Sequence, residues 1–352
     1  REDKVEGRGF VDALLNTEPN ELGEGFRGTL FEHTGGHPLF AIELLRAMQE
    51  RGDLVQDKAG CWAEGDSLDW GTLPARVEAV IEERIARLEE GLREILTVAS
   101  VEGEQFTAQV VARVQEMGER ELLGQLSRKL DKRHRLVREM EALTVRTGWL
   151  SRYRFAHALF QKYLYNDLGE VERRLLHGEV AGTLEYLYEG QTEEIAVQLA
   201  SHYTEAGHEQ HALKYFTLAG DMALASYAHA EAEGYFRQAL ALAPGEAERA
   251  HLLSGLGGVQ SGQGRFQEAM ETWAKGIELY GALEDSDGLA RLYSRSSWAA
   301  SMAGDPAESL RLCLEGLARV EGAPDSHGLA RLLDLAARVH CITALQREQA
   351  RP

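Results

Sequence analysis

The chain has 352 residues, of which 44% are hydrophobic and 27% are charged, and these proportions exclude wholesale disorder. At roughly 100–200 residues per domain, this length predicts two or three domains. The 57 acidic and 38 basic residues give a net charge of −19, so contact with a nucleic acid would require a local basic patch. Proline is scarce, with 7 residues in the whole chain, which favours helices over strands.

The cysteine content and the hydropathy pattern indicate a cellular setting. The three cysteines, Cys61, Cys313 and Cys341, are far apart and form no C-x-x-C pair, which argues against a disulfide framework and a zinc ribbon. No apolar run approaches the roughly 18–20 residues of a membrane span, and no signal peptide is recognisable. We therefore expect a reduced, cytoplasmic protein. Because the chain begins without a methionine and in mid-pattern, we also expect it to be a fragment of a longer protein.

Several motifs that carry chemistry are missing from the sequence. A P-loop needs G-x-x-x-x-G-K-[ST], and no Gly-Lys dipeptide occurs. The sequence also lacks G-x-S-x-G, H-E-x-x-H and a calcium-binding loop. The spacing of His208, Glu209 and His211 is not that of a metal site, and a solvated turn explains it. We therefore predict no catalytic residues and no metal ligands, and we do not expect the chain alone to be a complete enzyme.

Residues 1–72 are predicted to be helices with breaks. The segment Thr34–Phe40 contains two glycines, which permit positive φ or a close backbone approach, and Pro38 suits the first turn of the following helix. That helix is predicted from Leu39 to about Glu50, with an apolar face spaced by three residues, and Gly52 ends it. Its face is predicted to consist of Leu39, Ile42, Leu45 and Met48. A hairpin or loop over 53–70, with a turn at Lys58–Gly60, is expected to follow.

Residues 73–168 are predicted to form a winged helix-turn-helix, because several helices precede two strand-like pieces. The helices are predicted to start at Leu73-Pro74 and to continue over 92–99, 110–114 and 119–130. The strands are predicted over Arg135–Arg138 and Trp149–Phe155. A closing helix is predicted to begin at His157.

Residues 169–352 are predicted to be helical repeats. The segment Ser286–Leu292 matches Ser326–Leu332 at an offset of 40 residues, and Gly264 and Gly304 share that offset. Alternating small and large residues resemble the tetratricopeptide pattern, although the period is nearer 40 than 34. Because one helix pair cannot bury its apolar face alone, we expect stacking into an α-α superhelix. The predicted fold class is thus mainly α.

The order of these three parts resembles the signal-transduction ATPases with numerous domains, which are multidomain bacterial regulators related to the maltose-regulon activator family. Thr34-Gly35-Gly36-His37-Pro38-Leu39-Phe40 is similar to their glycine-x-proline segment, which lies in a helical lid after the ATPase core. Phe155-Ala156-His157 is similar to their winged-helix histidine, which senses the phosphates of the bound nucleotide. The likeness covers nearly the whole chain, but the phosphate-binding loop and the catalytic acid of the family are absent.

The resemblance implies a function for the chain. Gly36, His37, Pro38 and His157 would contact ATP or ADP held by an upstream core, so the full-length protein would be an ATPase that regulates signalling or transcription. The repeats would bind a protein, a peptide or a small-molecule inducer. No membrane partner is expected. Exchange of ADP for ATP would release the lid and the winged helix from each other.

Alternative interpretations are open at each of these positions. Gly36–Pro38 could be a plain turn between helices, and His157 could be a helix N-cap. Lys132, Arg133 and Arg135 form a basic patch that could bind DNA, although the acidic chain argues against it. Four aromatic residues could line a ligand groove, but at repeat spacing they are expected in the core: Tyr203, Phe216, Trp273 and Trp298. The chain could also be a scaffold whose repeats bind a partner without any nucleotide.

Overall fold

A computed structural model describes residues 2–57, 60–65, 68, 70, 75–322 and 327–349, and this part of the chain is mainly helical, which confirms the predicted fold class. By its internal contacts the chain divides into two compact units, Arg1–Gln191 and Thr192–Pro352. The sequence places the start of the repeats at residue 169, so one helix of the predicted repeat region lies with the first unit.

The first part of the N-terminal unit is a small helical body with a two-stranded hairpin. Its elements are α1 (Glu2–Leu15), α2 (Glu24–Thr34), α3 (Pro38–Arg51), β1 (Leu54–Gln56) and β2 (Trp62–Glu64). Pro38 occupies the first turn of α3, and Gly52 ends the helix in a left-handed conformation, as the sequence predicts. Most of the predicted turn at Lys58–Gly60 lies outside the described residues.

The apolar face predicted for α3 is partly wrong: Met48 is buried and Leu45 packs against the core as predicted, Ile42 does not, and the side chain of Leu39 lies outside the described residues. Ile42 is 41% exposed, whereas Phe40, Leu44 and Met48 are buried. These three residues are four apart in sequence and therefore lie above one another on one side of the helix. A prediction that uses a constant spacing of three residues drifts away from that side. Two of them, Leu44 and Met48, belong to the same apolar cluster as Val11 of α1 and Leu30 of α2, so the N-terminal helices share one core.

The rest of this unit combines helices with short strands. The elements are α4 (Ala75–Ala86), α5 (Glu90–Glu102), β3 (Gln105–Thr107), α6 (Ala108–Val114), α7 (Glu119–Gly124), a π-helix (Gln125–Arg133), β4 (Val137–Glu139), β5 (Leu143–Val145), β6 (Gly148–Leu150), β7 (Arg152–Phe155), α8 (Ala158–Asp167) and α9 (Glu170–Leu187). Strands β3, β7 and β4 form an antiparallel sheet with β7 in the centre, and β5 pairs with β6 in a separate hairpin. The predicted helix start at Leu73-Pro74 lies outside the described residues.

The strand predicted over Trp149–Phe155 is two strands, β6 and β7, which belong to different sheets. The break falls at Ser151. Its backbone N–H donates to Oε1 of Gln109 at 2.9 Å, and its carbonyl accepts from the N–H of Ala108 at 2.8 Å. Both backbone groups of Ser151 therefore form hydrogen bonds to the start of α6. The pairing with β5 ends before this residue, and the pairing with β3 and β4 begins after it.

The C-terminal unit is a stack of helices of the tetratricopeptide-like kind. After a 3₁₀ turn at Thr192–Ile195, its elements are α10 (Ala196–Glu205), α11 (Glu209–Ala225), α12 (His229–Leu242), α13 (Glu246–Gly262), α14 (Phe266–Ala282), α15 (Ser286–Met302), α16 (Pro306–Arg319) and α17 (His327–Gln349). Consecutive helices pack against each other, and α15 also packs against α17. Gly264 and Gly304 both adopt positive φ in the turns that precede α14 and α16, in agreement with the 40-residue offset.

Small residues allow the helices of this unit to approach closely. A Cβ atom on Gly257 of α13 would lie less than 3.0 Å from the indole nitrogen of the buried Trp273 in α14. That indole N–H donates to the carbonyl of Ser254 at 3.1 Å, which fixes the ring. The neighbouring Gly258 has no such restriction, since its Cβ would make only an ordinary contact with Leu224.

We predict that Gly257→Ala destabilises the protein by about 1–3 kcal/mol, because the added methyl overlaps a fixed indole. Gly258→Ala on the same helix is the matched control, and it should be neutral or stabilise by up to about 1 kcal/mol through helix propensity. Urea unfolding followed by circular dichroism measures both changes. Equal midpoints for the two variants would contradict the packing described here.

Candidate functional site

The turn between α2 and α3 is held by local hydrogen bonds. Gly35 caps α2 in a left-handed conformation, and its N–H donates to the carbonyl of Phe31 at 2.7 Å. The buried hydroxyl of Thr34 donates to the carbonyl of Leu30 at 2.7 Å and accepts the N–H of Gly36 at 3.3 Å. Both glycines have positive φ, which an L-residue adopts only with strain. The sequence Thr-Gly-Gly therefore determines the path of the backbone into α3.

The two glycines also provide room for other parts of the unit. A Cβ on Gly35 would lie less than 3.0 Å from Nδ1 of His157, and a Cβ on Gly36 would lie less than 3.0 Å from the backbone of Gly7 in α1. Gly36 is buried. The space beside Gly36 is thus occupied by the backbone of α1. The predicted nucleotide contact would require that space for the ligand.

His37 and His157 are the N-caps of α3 and α8, and the structure brings them together. Their ring centroids are 6.2 Å apart, and the His157 ring also lies against Phe40 at 5.8 Å and Phe160 at 5.9 Å. Neither cap residue makes a side-chain hydrogen bond to its own helix. Pro38, in the first turn of α3, is exposed. The residues predicted to contact the nucleotide therefore lie around two adjacent helix N-termini.

The electrostatics of this cluster are unusual for histidines. Burial is the main cause that lowers the pKa of His157 to about 4, and four nearby groups contribute in the same direction: His37, Arg84, Arg138 and Arg154. Burial and Arg84 also lower the pKa of His37. Nδ1 of His157 is buried and has no hydrogen-bond partner among the described residues. At neutral pH the imidazole of His157 is therefore uncharged, and the arginines supply the positive potential.

Arg84 of α4 is a member of this cluster that the sequence does not indicate. Its guanidinium lies 5.1 Å from the centroid of the Phe160 ring, and its Nη2 donates to the carbonyl of His134 at 3.1 Å. Arg84 thereby joins α4, α8 and the end of the π-helix. Helix α4 carries several charged residues, as is ordinary on a helix surface. Only the tertiary structure therefore distinguishes Arg84 from its charged neighbours.

A second contact holds α8 against α2. Nζ of Lys162 donates to the carbonyl of Trp70 at 2.9 Å and lies 3.2 Å from Nδ1 of His33. Because an ammonium group can only donate, Nδ1 of His33 must accept, which requires a neutral ring. Burial and Lys162 accordingly lower the pKa of His33 to about 4.

The basic residues predicted as a DNA patch lie near the end of the π-helix. Lys132, Arg133 and Arg135 are all exposed, and Arg135 has a φ of 54°. On the same helix Nζ of Lys129 pairs with the carboxylate of Glu89 at 2.6 Å. DNA binding by this patch stays a prediction.

The aromatic residues of the repeats differ in burial. Tyr203, Phe216 and Trp273 are buried, as expected for core residues, whereas Trp298 is 43% exposed and lines a groove. Within the described part of the chain, no group of three or more His, Cys, Asp or Glu residues could hold a metal ion. The helices described here include none that is both long enough and apolar enough to cross a membrane.

Comparison with known proteins finds similarity to solved structures alone. No family model and no curated protein matches the chain. Among solved structures, the chain is similar to a signal transduction ATPase with numerous domains (STAND) that has a tetratricopeptide repeat sensor, from Pyrococcus horikoshii. The identity is 10% and the TM-score is 0.35, over 92% of this chain and 55% of that protein, so the chain spans about half of its length. This similarity is too low to assign a function.

We predict that Gly35→Ala destabilises the N-terminal unit through two effects. The left-handed backbone costs about 1–2 kcal/mol with a Cβ, and overlap with His157 adds about 1–3 kcal/mol. Gly52→Ala is the matched control, because Gly52 also caps a helix with positive φ but its Cβ would meet nothing within 4 Å. Denaturant unfolding should show the larger loss for Gly35→Ala.

The same contact can be isolated with a double mutant. His157→Ala removes the ring that overlaps the new methyl group, so it should recover most of the excess loss in Gly35→Ala and none of the loss in Gly52→Ala. Additive effects in both pairs would mean that the His157 ring does not lie against Gly35.

We predict that stability falls as the pH is lowered from about 6.5 to about 4. The pKa values of His33 and His157 are both about 4 in the folded protein, below the unfolded value of 6.5. The unfolded state therefore binds more protons in this interval, and protons favour unfolding. Burial raises the pKa of Glu102 to about 7, which acts in the opposite sense as the pH falls.

The double variant His33→Gln/His157→Gln should therefore show a shallower fall in melting temperature between pH 6.5 and 4.5 than the parent protein. His251→Gln is the control, because His251 is about half exposed. Thermal unfolding across this pH range measures the slopes. Parallel curves for the parent and the double variant would exclude these two histidines as the cause.

Proposed function

We propose that this chain is the regulatory and sensor portion of a signal transduction ATPase that is switched by a bound nucleotide. In this proposal α1–α3 are the lid of an ATPase module, residues 75–168 are a winged-helix domain, and the repeats are the sensor. The meeting of His157 with the His37-Pro38 turn carries the proposal. It unites the two motifs that a sequence resemblance assigns to one nucleotide.

The chemistry of the cluster suits the phosphates of ADP. Two helix N-termini, those of α3 and α8, provide partial positive charge and backbone N–H groups near one point. Three arginines, Arg84, Arg138 and Arg154, act on the same point. The exposed ring of Pro38 offers an apolar surface beside it that a purine can cover. ATP or ADP would be the cofactor of the full-length protein, held mainly by an upstream core.

A phosphate placed beside His157 would change the protonation of its ring. A nearby negative charge favours the imidazolium, so the pKa of His157 would rise from about 4. The buried Nδ1 that has no partner could then donate a charged hydrogen bond. Nucleotide binding would thus offset the cost of burying this ring, and it would hold the lid and α8 together. Loss of that contact on exchange to ATP would free both elements.

We predict that Pro38→Ala and His157→Ala in the full-length protein each accelerate ADP dissociation, His157→Ala by about tenfold or more, which is the value of one charged hydrogen bond. Stopped-flow release of a fluorescent ADP measures the rate, and His251→Ala is the control. The acceleration by His157→Ala should grow as the pH falls, because the parent ring becomes protonated in the complex.

Two results would overturn this proposal. The reading frame upstream of the chain should encode a P-loop, and its absence would end the ATPase interpretation. Unchanged ADP dissociation in both site variants would remove the assigned nucleotide contact. The cytoplasmic location and a role in transcription or signalling follow from the proposal and depend on the same tests.

The alternatives predict different results with the same chain. A scaffold would bind its partner through the repeats equally well with and without nucleotide. A DNA reader would bind duplex DNA in a strongly salt-dependent way, and Lys132→Gln, Arg133→Gln or Arg135→Gln would weaken that binding.

A further inference from the structure

A groove crosses three helices of the repeats that are related by the 40-residue period. Its cavity volume is about 470 Å³, which is large enough for one small molecule. Gly258 of α13, Trp298 of α15 and Arg338 of α17 all line it, and they stand at equivalent positions of successive repeats. At this repeat position the first helix has no side chain, the second has an indole and the third has a guanidinium group. Gly258 leaves space for an occupant, and Trp298 and Arg338 line that space.

Arg295 lies in this groove in an unusual environment for an arginine. Its Nη1 donates to the carbonyl of Ser254 at 3.3 Å and to the hydroxyl of Ser254 at 3.0 Å. Within the described part of the chain no carboxylate forms an ion pair with it. Burial lowers its pKa, and the cationic Arg291 and Arg331 lower it in the same direction. A partly buried guanidinium is therefore held by neutral groups alone, next to other positive charges.

The groove is positive, although the protein is acidic. Its lining includes three arginines and one aspartate: Arg295, Arg331, Arg338 and Asp334. Asp334 pairs with Arg338 at 3.3 Å, and both side chains are about two thirds exposed. Neither Arg331 nor Arg295 forms an ion pair with a carboxylate of the described residues. In a chain of net charge −19, this concentration of positive charge in a concave surface favours a negatively charged occupant.

An exposed aromatic side chain, Trp298, lines the same groove as these charged residues. Trp298 is 43% exposed and contacts Phe266 edge to face, with ring centroids 5.9 Å apart. Trp273 also lines the groove and is fixed by its hydrogen bond to Ser254, the same residue that holds Arg295. Ser254 therefore fixes the guanidinium of Arg295 and the buried indole together, whereas Trp298 keeps nearly half of its surface available.

We propose that this groove binds a small organic anion that carries a ring, with its phosphate or carboxylate group on Arg295 and Arg331 and its ring on Trp298. Guanidinium groups match the geometry of both anions through paired N–H donors, and an exposed indole stacks on a flat ring. The assignment of this anion as the signal of the sensor rests on the function proposed above. The binding itself does not depend on it.

The test uses the complete 352-residue chain and isothermal titration calorimetry with four probes. Phenyl phosphate and benzoate carry a ring and an anion, inorganic phosphate carries only the anion, and phenol carries only the ring. At least one ring-bearing anion should bind saturably, and about tenfold more tightly than inorganic phosphate or phenol. Comparison of phenyl phosphate with benzoate identifies which anion the arginines prefer.

Variants locate the binding. Arg331→Gln and Trp298→Leu should each weaken it about tenfold, as expected from the loss of one charged contact or one stacking contact. Arg237→Gln is the matched control, because Arg237 is an exposed arginine of α12 outside the groove lining. His157→Ala should leave the affinity unchanged, since His157 belongs to the other unit. Circular dichroism confirms that each variant is folded.

Three results would overturn the inference. These are no saturable binding of either ring-bearing anion at millimolar concentrations, equal affinities in Arg331→Gln and Arg237→Gln, or loss of binding in His157→Ala alone. The last result would place the anion at the nucleotide contact. Failure of the groove would leave the dissociation of ADP from the full-length protein unaffected, so the two proposals fail separately.

Discussion

The absence of a side chain at Gly35 is the constraint on which the N-terminal unit depends. The imidazole of His157 lies where the Cβ of any other residue would be, and on the far side of the same turn the backbone of α1 fills the equivalent space at Gly36. Three segments distant in sequence therefore meet at two glycines. Both glycines also have positive φ. Glycine is therefore required at each position for two reasons, the left-handed backbone conformation and the close approach of another segment.

This approach buries a neutral histidine among positive charges, and the arrangement is unfavourable by itself. Nδ1 of His157 has no partner in the part of the chain that the structure describes, and Arg84, Arg138 and Arg154 oppose protonation of the ring. A buried polar atom without a hydrogen bond costs about 1–3 kcal/mol. The contact between Lys162 and His33 supports α8 from its other side and is fully formed. The Lys162 contact of α8 is thus hydrogen-bonded, whereas the buried Nδ1 of His157 at the start of α8 has no partner among the described residues.

The sequence predicts those features that depend on neighbouring residues and misses those that depend on distant ones. Gly35, Gly36, Pro38 and His157 stand in short segments whose local conformation explains them, and the structure has a turn, a helix start and an N-cap there. Arg84, Lys162 and Gly7 became recognisable only through tertiary contacts. The wrong predictions also have identifiable physical causes. The face of α3 was predicted from a spacing of three where the buried residues are four apart, and the break at Ser151 depends on Gln109, which is 42 residues away.

In the repeats, residues at equivalent positions of the 40-residue period can be compared. Positions that serve packing keep a common pattern, and one position that lines the groove does not. Packing between successive helix pairs needs complementary small and large residues, as Gly257 and Trp273 illustrate, and it can be met in the same way in every repeat. The equivalent positions Gly258, Trp298 and Arg338 differ completely in size and charge, yet all three face one groove. The guanidinium of Arg338 pairs with Asp334, but packing alone gives no reason for the exposed indole of Trp298 at a position where glycine suffices. A repeat position that varies in this way while its neighbours keep the pattern is better explained by the requirements of a ligand than by those of the core.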